Sequence, residues 1–370
     1  MKLLYIINIR MPTEKAHGFQ IAKMCESFAR AGVDVELVVP TRANKITEDA
    51  YSYFGIAPVF KITYIRIPDI TTFKIGYYIH QLVFALKVGL YAAQSDSDVV
   101  YSRDVLPLQF VMRTKKIILE VHNVPERFVW LYRLALHKIY RVISTNVWKK
   151  TFLVEQCNFN AKKIFVFPNG IDTSKPRLSM SRDALCSELG LNSEFKYVVY
   201  TGHLYEWKGA QILAEASALL PENTRTIFVG GTSADVKKFT ARFRSDRIIM
   251  IPHQPHDKVS DYLAIADVLI LPNIPISRES IYTTSPMKLF EYMAAGRPIV
   301  ASDLPSIREI LDESLAILIK PGDVDALAHG INQVLNDPLS GSVRAGIAYE
   351  RVKQYSWQNR AQKILDFIKS

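Results

Sequence analysis

At 370 residues, with 49% apolar and 22% charged side chains, the chain is long enough for two globular domains and too apolar to be disordered. Three scattered cysteines, Cys25, Cys157 and Cys186, lack metal or redox spacing, which argues against a disulfide framework and fits a reducing compartment. The net charge of +10 is lopsided: residues 1–172 hold 23 Lys+Arg against 14 Asp+Glu, and the remainder is nearly balanced. The densest excess, Arg113 to Lys150, points to an anionic partner or to a merely solvated basic face.

Leu3 to Ile9 is short, interrupted by Asn8 and followed by Arg10, so it reads as a buried first strand rather than a secretory leader. A polar loop, Pro12 to Gly18, leads to a helix over Phe19–Ala31 closed by Gly32, and then to a strand, Val33–Val39. This strand–loop–helix–strand order predicts a parallel, doubly wound sheet. Gly18, at the loop's end, either lets backbone approach a ligand above the strand ends or is a plain turn glycine.

Ile75 to Ala93 is the longest apolar segment, but His80, Gln81 and Lys87 argue against a membrane span. Strands follow at Asp98–Ser102 and Lys116–Val121, the second ending in His122, on the rim where α/β sheets bind ligands. A lone histidine there needs partners before it means anything. Val142–Ser144 and Lys163–Phe167 complete a first half of residues 1–172, and the polar stretch Thr173–Met180, with Pro176, marks the expected domain boundary.

The alternation restarts at Tyr197–Tyr200 and continues through strands near residues 226, 247, 268 and 299. Two successive doubly wound halves imply facing rims with a central cleft. After the first of these strands, Thr201-Gly202-His203 and then Lys208-Gly209 enter a helix from Ala210, an arrangement suited to a phosphate: bare backbone at Gly202 and a compact cation at Lys208. Ser285-Pro286-Met287 opens another helix, with Ser285 expected at the N-cap, Pro286 at the first helical position and Gly296 closing it. Its first-turn amides suit an anion. Glu291, one turn further on, is placed to accept the paired hydroxyls of a ribose, or is a solvated residue of an amphipathic helix. No catalytic triad, metal-ligand pair or Walker loop is written in the chain.

Taken together, Pro168-Asn169-Gly170-Ile171-Asp172, Gly202-His203-Leu204 with Lys208-Gly209, Ala266-Asp267-Val268 with Leu271-Pro272, Ser285 to Ser302, and Tyr355-Ser356-Trp357 resemble the retaining glycosyltransferases of family 4, over essentially the whole length. The resemblance implies a GT-B fold of two Rossmann-like domains: an acceptor domain over 1–172, a nucleotide-sugar domain over 173–354, and a last helix, 355–370, crossing back to the first. It implies a donor of UDP or GDP type, no other cofactor and no metal. Glu291 looks like the second Glu of the family's Glu-x7-Glu motif, and Lys208 like its diphosphate-binding lysine. The amides at Ser285, Pro286 and Met287, together with Gly202 and, from the opposing domain, Gly18, are expected at the same diphosphate. His122 resembles the histidine near the transferred sugar. Two positions depart from the pattern: Thr283 stands where the first Glu of the motif falls, and His203 where an arginine often flanks the diphosphate.

The expectation is therefore a hexosyltransferase acting in lipid-linked or cell-surface glycan synthesis, cytoplasmic and peripheral on an anionic membrane face, with no nucleic-acid partner. Arg127 to Lys138, rich in aromatic and Leu residues, and Ile75–Ala93 are its expected membrane segments, although core burial explains the second at least as well. The alternatives are a nucleotide-sugar epimerase on the same architecture and a non-catalytic nucleotide-sugar or nucleic-acid binding module.

Overall fold

The computed structural model describes residues 1–71, 73–172 and 180–370. Among them the chain forms two compact units, Met1–Gly170 with Trp357–Ser370, and Ile171–Ser356. The stretch 173–179, where the sequence places the domain boundary, lies outside the described residues.

In the first unit, strands β1 (Lys2–Ile6), β2 (Asp34–Pro40), β3 (Lys61–Ile65), β4 (Val99–Ser102), β5 (Lys116–Val121), β6 (Arg141–Ser144) and β7 (Ile164–Val166) form one sheet in the order β3-β2-β1-β4-β5-β6-β7. Every pairing is parallel. Such strands are covered on both faces, which is why they read as near-continuous apolar runs. Right-handed crossovers fix which helix covers which face. Chain steps toward β3 put the helix Ala16–Arg30 on one side, and the steps back toward β7 put Lys74–Gln94, Val105–Leu108, Val129–Leu136 and Val147–Glu155 on the other. On that second side Leu4, Ile6, Val100, Ile117 and Leu119 meet Phe84, Val88, Leu108 and Leu136 in one core cluster. The last helix, Trp357–Lys369, packs against Ala16–Arg30.

The second unit repeats the plan with β8 (Lys196–Thr201), β9 (Thr224–Val229), β10 (Ile248–Ile251), β11 (Val268–Leu271), β12 (Ile299–Ser302) and β13 (Ile317–Ile319), in the order β10-β9-β8-β11-β12-β13, again all parallel. Alternate side chains of its strands feed two cores: Val198, Tyr200, Phe228 and Ile270 pack on Leu213 and Leu327, while Val199, Ile227 and Leu271 pack on Leu289, Phe290 and Met293. The strand order reverses between β8 and β11, the point at which open α/β sheets bind ligands beyond their carboxyl ends.

Several sequence-based expectations are corrected. The helix after β1 begins at Ala16, so Gly18 lies inside its first turn rather than in the preceding loop. It is buried, and a Cβ there would stand 2.4 Å from Thr13 Cγ2, so its small size serves local packing. The helix after β11 runs Met287–Ala295 with Pro286, not Ser285, at its N-cap, and no side chain caps it. Lys149, counted with the basic cluster, is buried and donates to Thr145 Oγ1 at 2.6 Å. The edge strands β3 and β13 were not anticipated.

Candidate active site

In the second unit, the loops that leave β8 and β11 flank the reversal point, and they carry most of the expected site residues. Thr201 ends β8, and its amide donates to the Tyr292 hydroxyl at 2.9 Å, tying this strand to the helix that follows β11. Gly202 comes next with φ +121, a conformation costly for any residue with a Cβ. Glu206–Lys208 then makes one tight turn, and Gly209, φ +72, starts the helix Ala210–Ala216. A Cβ at Gly209 would lie 1.7 Å from the Pro272 carbonyl oxygen, so glycine is obligatory where the two loops touch.

Two lysine side chains flank the Gly202 turn. A Cβ at Gly202 would lie 4.0 Å from both Lys208 Nζ and Lys288 Cδ. Burial pulls the Lys208 amine below its ordinary range, an effect opposed by the carboxylates of Glu279 and Glu291. Lys288 is 8% exposed, and its amine has no hydrogen-bond partner, resting instead 3.9 Å from the centroid of the Tyr200 ring. Burial, reinforced by neighbouring Lys208 and opposed by Glu291, holds this amine well below its ordinary range. Leaving the Lys288 amine buried with no hydrogen-bond partner is costly, so the two side chains form a site to which an anionic ligand brings the missing acceptor. Sequence reasoning passed over Lys288 because a lysine on an amphipathic helix ordinarily reads as solvated.

Glu291 is half-buried one turn beyond Lys288, near both amines. Thr283 closes a π-helical turn, Glu279–Thr283, just ahead of Ser285, Pro286 and Met287, which are all half-buried at the start of the next helix. His203 is exposed and its ring stacks on Tyr205, with centroids 4.9 Å apart and planes 9° from parallel. Partial burial and then Lys208 lower its pKa, so the residue standing at the family's arginine position is neutral at neutral pH.

In the first unit, His122 follows β5 and does find a partner: its Nε2 lies 2.5 Å from Glu120 Oε1. Glu120 is fully buried; it forms an ion pair with Arg103 at 3.1 Å and accepts hydrogen bonds from Arg360 at 3.0 Å and from the Tyr101 hydroxyl. The two guanidinium groups hold its carboxyl well below the usual range despite burial. Burial, followed by Arg103, lowers His122 to about 3, so the imidazole is neutral. With an anionic carboxylate facing Nε2, that nitrogen carries the proton and Nδ1 is left as an acceptor. Arg360 arrives from the last helix and also donates to the Pro168 carbonyl at 2.8 Å. Among the described residues no group of three or more His, Cys, Asp or Glu side chains is arranged to hold a metal ion.

Two family models match the chain: "Glycosyltransferase Family 4" over residues 18–175 and "Glycosyl transferases group 1" over residues 195–337. A D-inositol 3-phosphate glycosyltransferase of Xylanimonas cellulosilytica is 26% identical over 227 residues, 58% of this chain and 53% of its own length. An amylovoran biosynthesis glycosyltransferase of Erwinia amylovora is 28% identical over 191 residues, 50% and 44% of the two lengths. The matched region thus spans about half the length of these curated relatives. Among solved structures, a sucrose-phosphate synthase of Thermosynechococcus elongatus superposes with a TM-score of 0.80 at 17% identity, covering 100% and 98% of the chains. The Anabaena protein HepE in complex with UDP gives 0.77 at 19%, covering both chains fully. With its two parallel sheets and both halves matched, the chain has the GT-B fold and belongs to glycosyltransferase family 4, the glycosyl transferases of group 1.

Proposed function

We propose that this glycosyltransferase moves a sugar from a nucleoside diphosphate sugar to an acceptor hydroxyl with retention of configuration and without a metal ion. The observation that carries the reading is the convergence of Lys208 and Lys288 on the bare Gly202 turn, where the second sheet reverses its strand order. As the anomeric C–O bond breaks, negative charge grows on the leaving diphosphate. The two amines and the amides at Ser285, Pro286 and Met287 stabilise that charge, the commonest large catalytic term. Glu291 accepts the ribose hydroxyls. The acceptor oxygen attacks the same face of the sugar, and its proton passes to the departing diphosphate oxygen. His122, neutral and fixed by Glu120, offers Nδ1 to a hydroxyl of the transferred sugar. The basic first unit suits an acceptor that is lipid-linked or otherwise anionic, in surface-glycan synthesis at the cytoplasmic membrane face.

The test is a panel of UDP and GDP sugars screened for thermal stabilisation and then for turnover, since ligand binding raises apparent stability by mass action. Lys208→Ala should lower turnover at least about a hundredfold, roughly 3 kcal/mol of lost charge stabilisation. Near-normal turnover in this variant refutes the site. Activity should survive excess chelator, and its loss there, restored by Mg²⁺ or Mn²⁺, refutes the metal-free step.

A further inference from the structure

The helix Lys74–Gln94 buries one face in the first unit's core through Phe84, Val88 and Ala92. Its opposite face is also apolar, and it is open to solvent: Ile75 and Tyr78 are each 71% exposed, and Leu82, Leu86 and Leu90 continue the stripe at helical spacing. At 1.5 Å per residue the row from Ile75 to Leu90 is about 23 Å long. It is extended sideways. Phe110 packs against the helix at Gly89, and the Gln109 side chain donates to the Ala135 carbonyl at 3.1 Å, so the segment 105–112 lies between Lys74–Gln94 and Val129–Leu136. These neighbours expose Met112 on the one and Trp130, Leu131 and Leu134 on the other. All three elements cover the same side of the sheet, so their outer residues share one surface. Among the described residues no helix is long and apolar enough to cross a membrane, so this is not a spanning segment turned outward.

Charge selects what covers it. Across residues 74–94, 105–116 and 127–141 every formally charged side chain is Lys or Arg. A second copy docking through the same patch would set cations against cations, which opposes a two-fold dimer. A nucleic acid would leave the long aliphatic row without a partner. An anionic bilayer surface satisfies both features at once, with aliphatic and aromatic side chains at the acyl boundary and cations against head groups. We infer that this face, centred on the outer stripe of Lys74–Gln94 and flanked by Trp130, Leu131 and Leu134, docks the protein onto anionic membrane. The inference deepens the lipid-linked part of the function proposed above, and it is independent of the donor site.

The experiment is co-sedimentation with vesicles of one-quarter phosphatidylglycerol in phosphatidylcholine, and with phosphatidylcholine alone. The protein should pellet with the former at low salt, less so as salt rises, and poorly with the latter. The double variant Tyr78→Glu, Leu90→Glu changes only highly exposed positions and should lower partitioning about tenfold or more. Its thermal stabilisation by UDP should match that of the parent, so that loss of docking is read separately from loss of the donor site. In the unaltered protein, brominated lipid should quench tryptophan fluorescence, and Trp130→Phe should remove most of that quenching. Absence of pelleting at low salt, unchanged pelleting of the double variant, or a dimer broken by these substitutions without vesicle binding would each overturn the inference.

Discussion

Lys288 offers the sharpest test of the donor site, because the structure leaves its amine buried beside Lys208 with no hydrogen-bond partner. Lys288→Met keeps the length of the side chain and removes the amine. Charge-assisted hydrogen bonds contribute about 1.5–3 kcal/mol, so UDP affinity should fall about ten- to a hundredfold. Proton linkage supplies a second reading. The folded amine sits well below its unfolded value, so between those two values the unfolded chain binds one more proton than the folded one. Stability therefore rises with pH across that window, with a slope of at most about 1.4 kcal/mol per pH unit for one proton. Lys288→Met should flatten this slope and leave the unliganded protein no less stable at neutral pH. An arriving diphosphate restores the proton, so calorimetric titration of UDP in buffers of different ionisation enthalpy should show proton uptake by the parent, and less by the variant. Equal UDP affinity together with equal proton uptake in the two proteins would refute the reasoning.

Glu291→Ala should raise the donor KM more than it lowers kcat, because the proposed ribose contact is made before and during reaction; steady-state kinetics decides it. Arg360→Met removes one of the two guanidinium groups on fully buried Glu120 and should destabilise the first unit by about 3–5 kcal/mol, read by urea unfolding. His122, neutral in the fold down to about pH 3, takes up a proton on unfolding below its ordinary 6.5. Stability should consequently fall as pH drops from 6.5 toward 3, and His122→Gln should remove part of that slope in acid-unfolding curves.

Most of the sheet was legible in the sequence because its central strands are covered on both faces and read as unbroken Val, Ile and Leu runs. Two of the edge strands, β3 and β13, were not. Lys61–Ile65 is only partly buried and mixes Lys and Thr with Ile, and Ile317–Ile319 is three residues long. Lys208 stood out in the glycine-bounded loop after β8 and Glu291 by its likeness to a family motif, and the structure puts them near one another. Lys288 did not, because its burial depends on β8, a strand remote in sequence whose Tyr200 lies beneath it. Glu120 was invisible for a similar reason: a carboxylate inside a strand gains its meaning from Arg103, one strand away, and Arg360, on the last helix. Apolar content alone likewise could not tell which face of Ile75–Ala93 meets the core and which meets solvent.

The make-up of the first unit has a consequence for synthesis. Its sheet is complete once β7 leaves the ribosome, yet the helix that supplies Arg360 to Glu120 and Trp357 to Gly170 is translated only after the whole second unit. At about 5–20 residues per second that interval is roughly ten to forty seconds. Throughout it the nascent first unit carries a buried carboxylate short of one counter-charge and an apolar helix flank without its cover. Its last folding step is thus tied to the arrival of distant chain, so a ribosome stalled within the second unit leaves a first unit that has its sheet but cannot close its core.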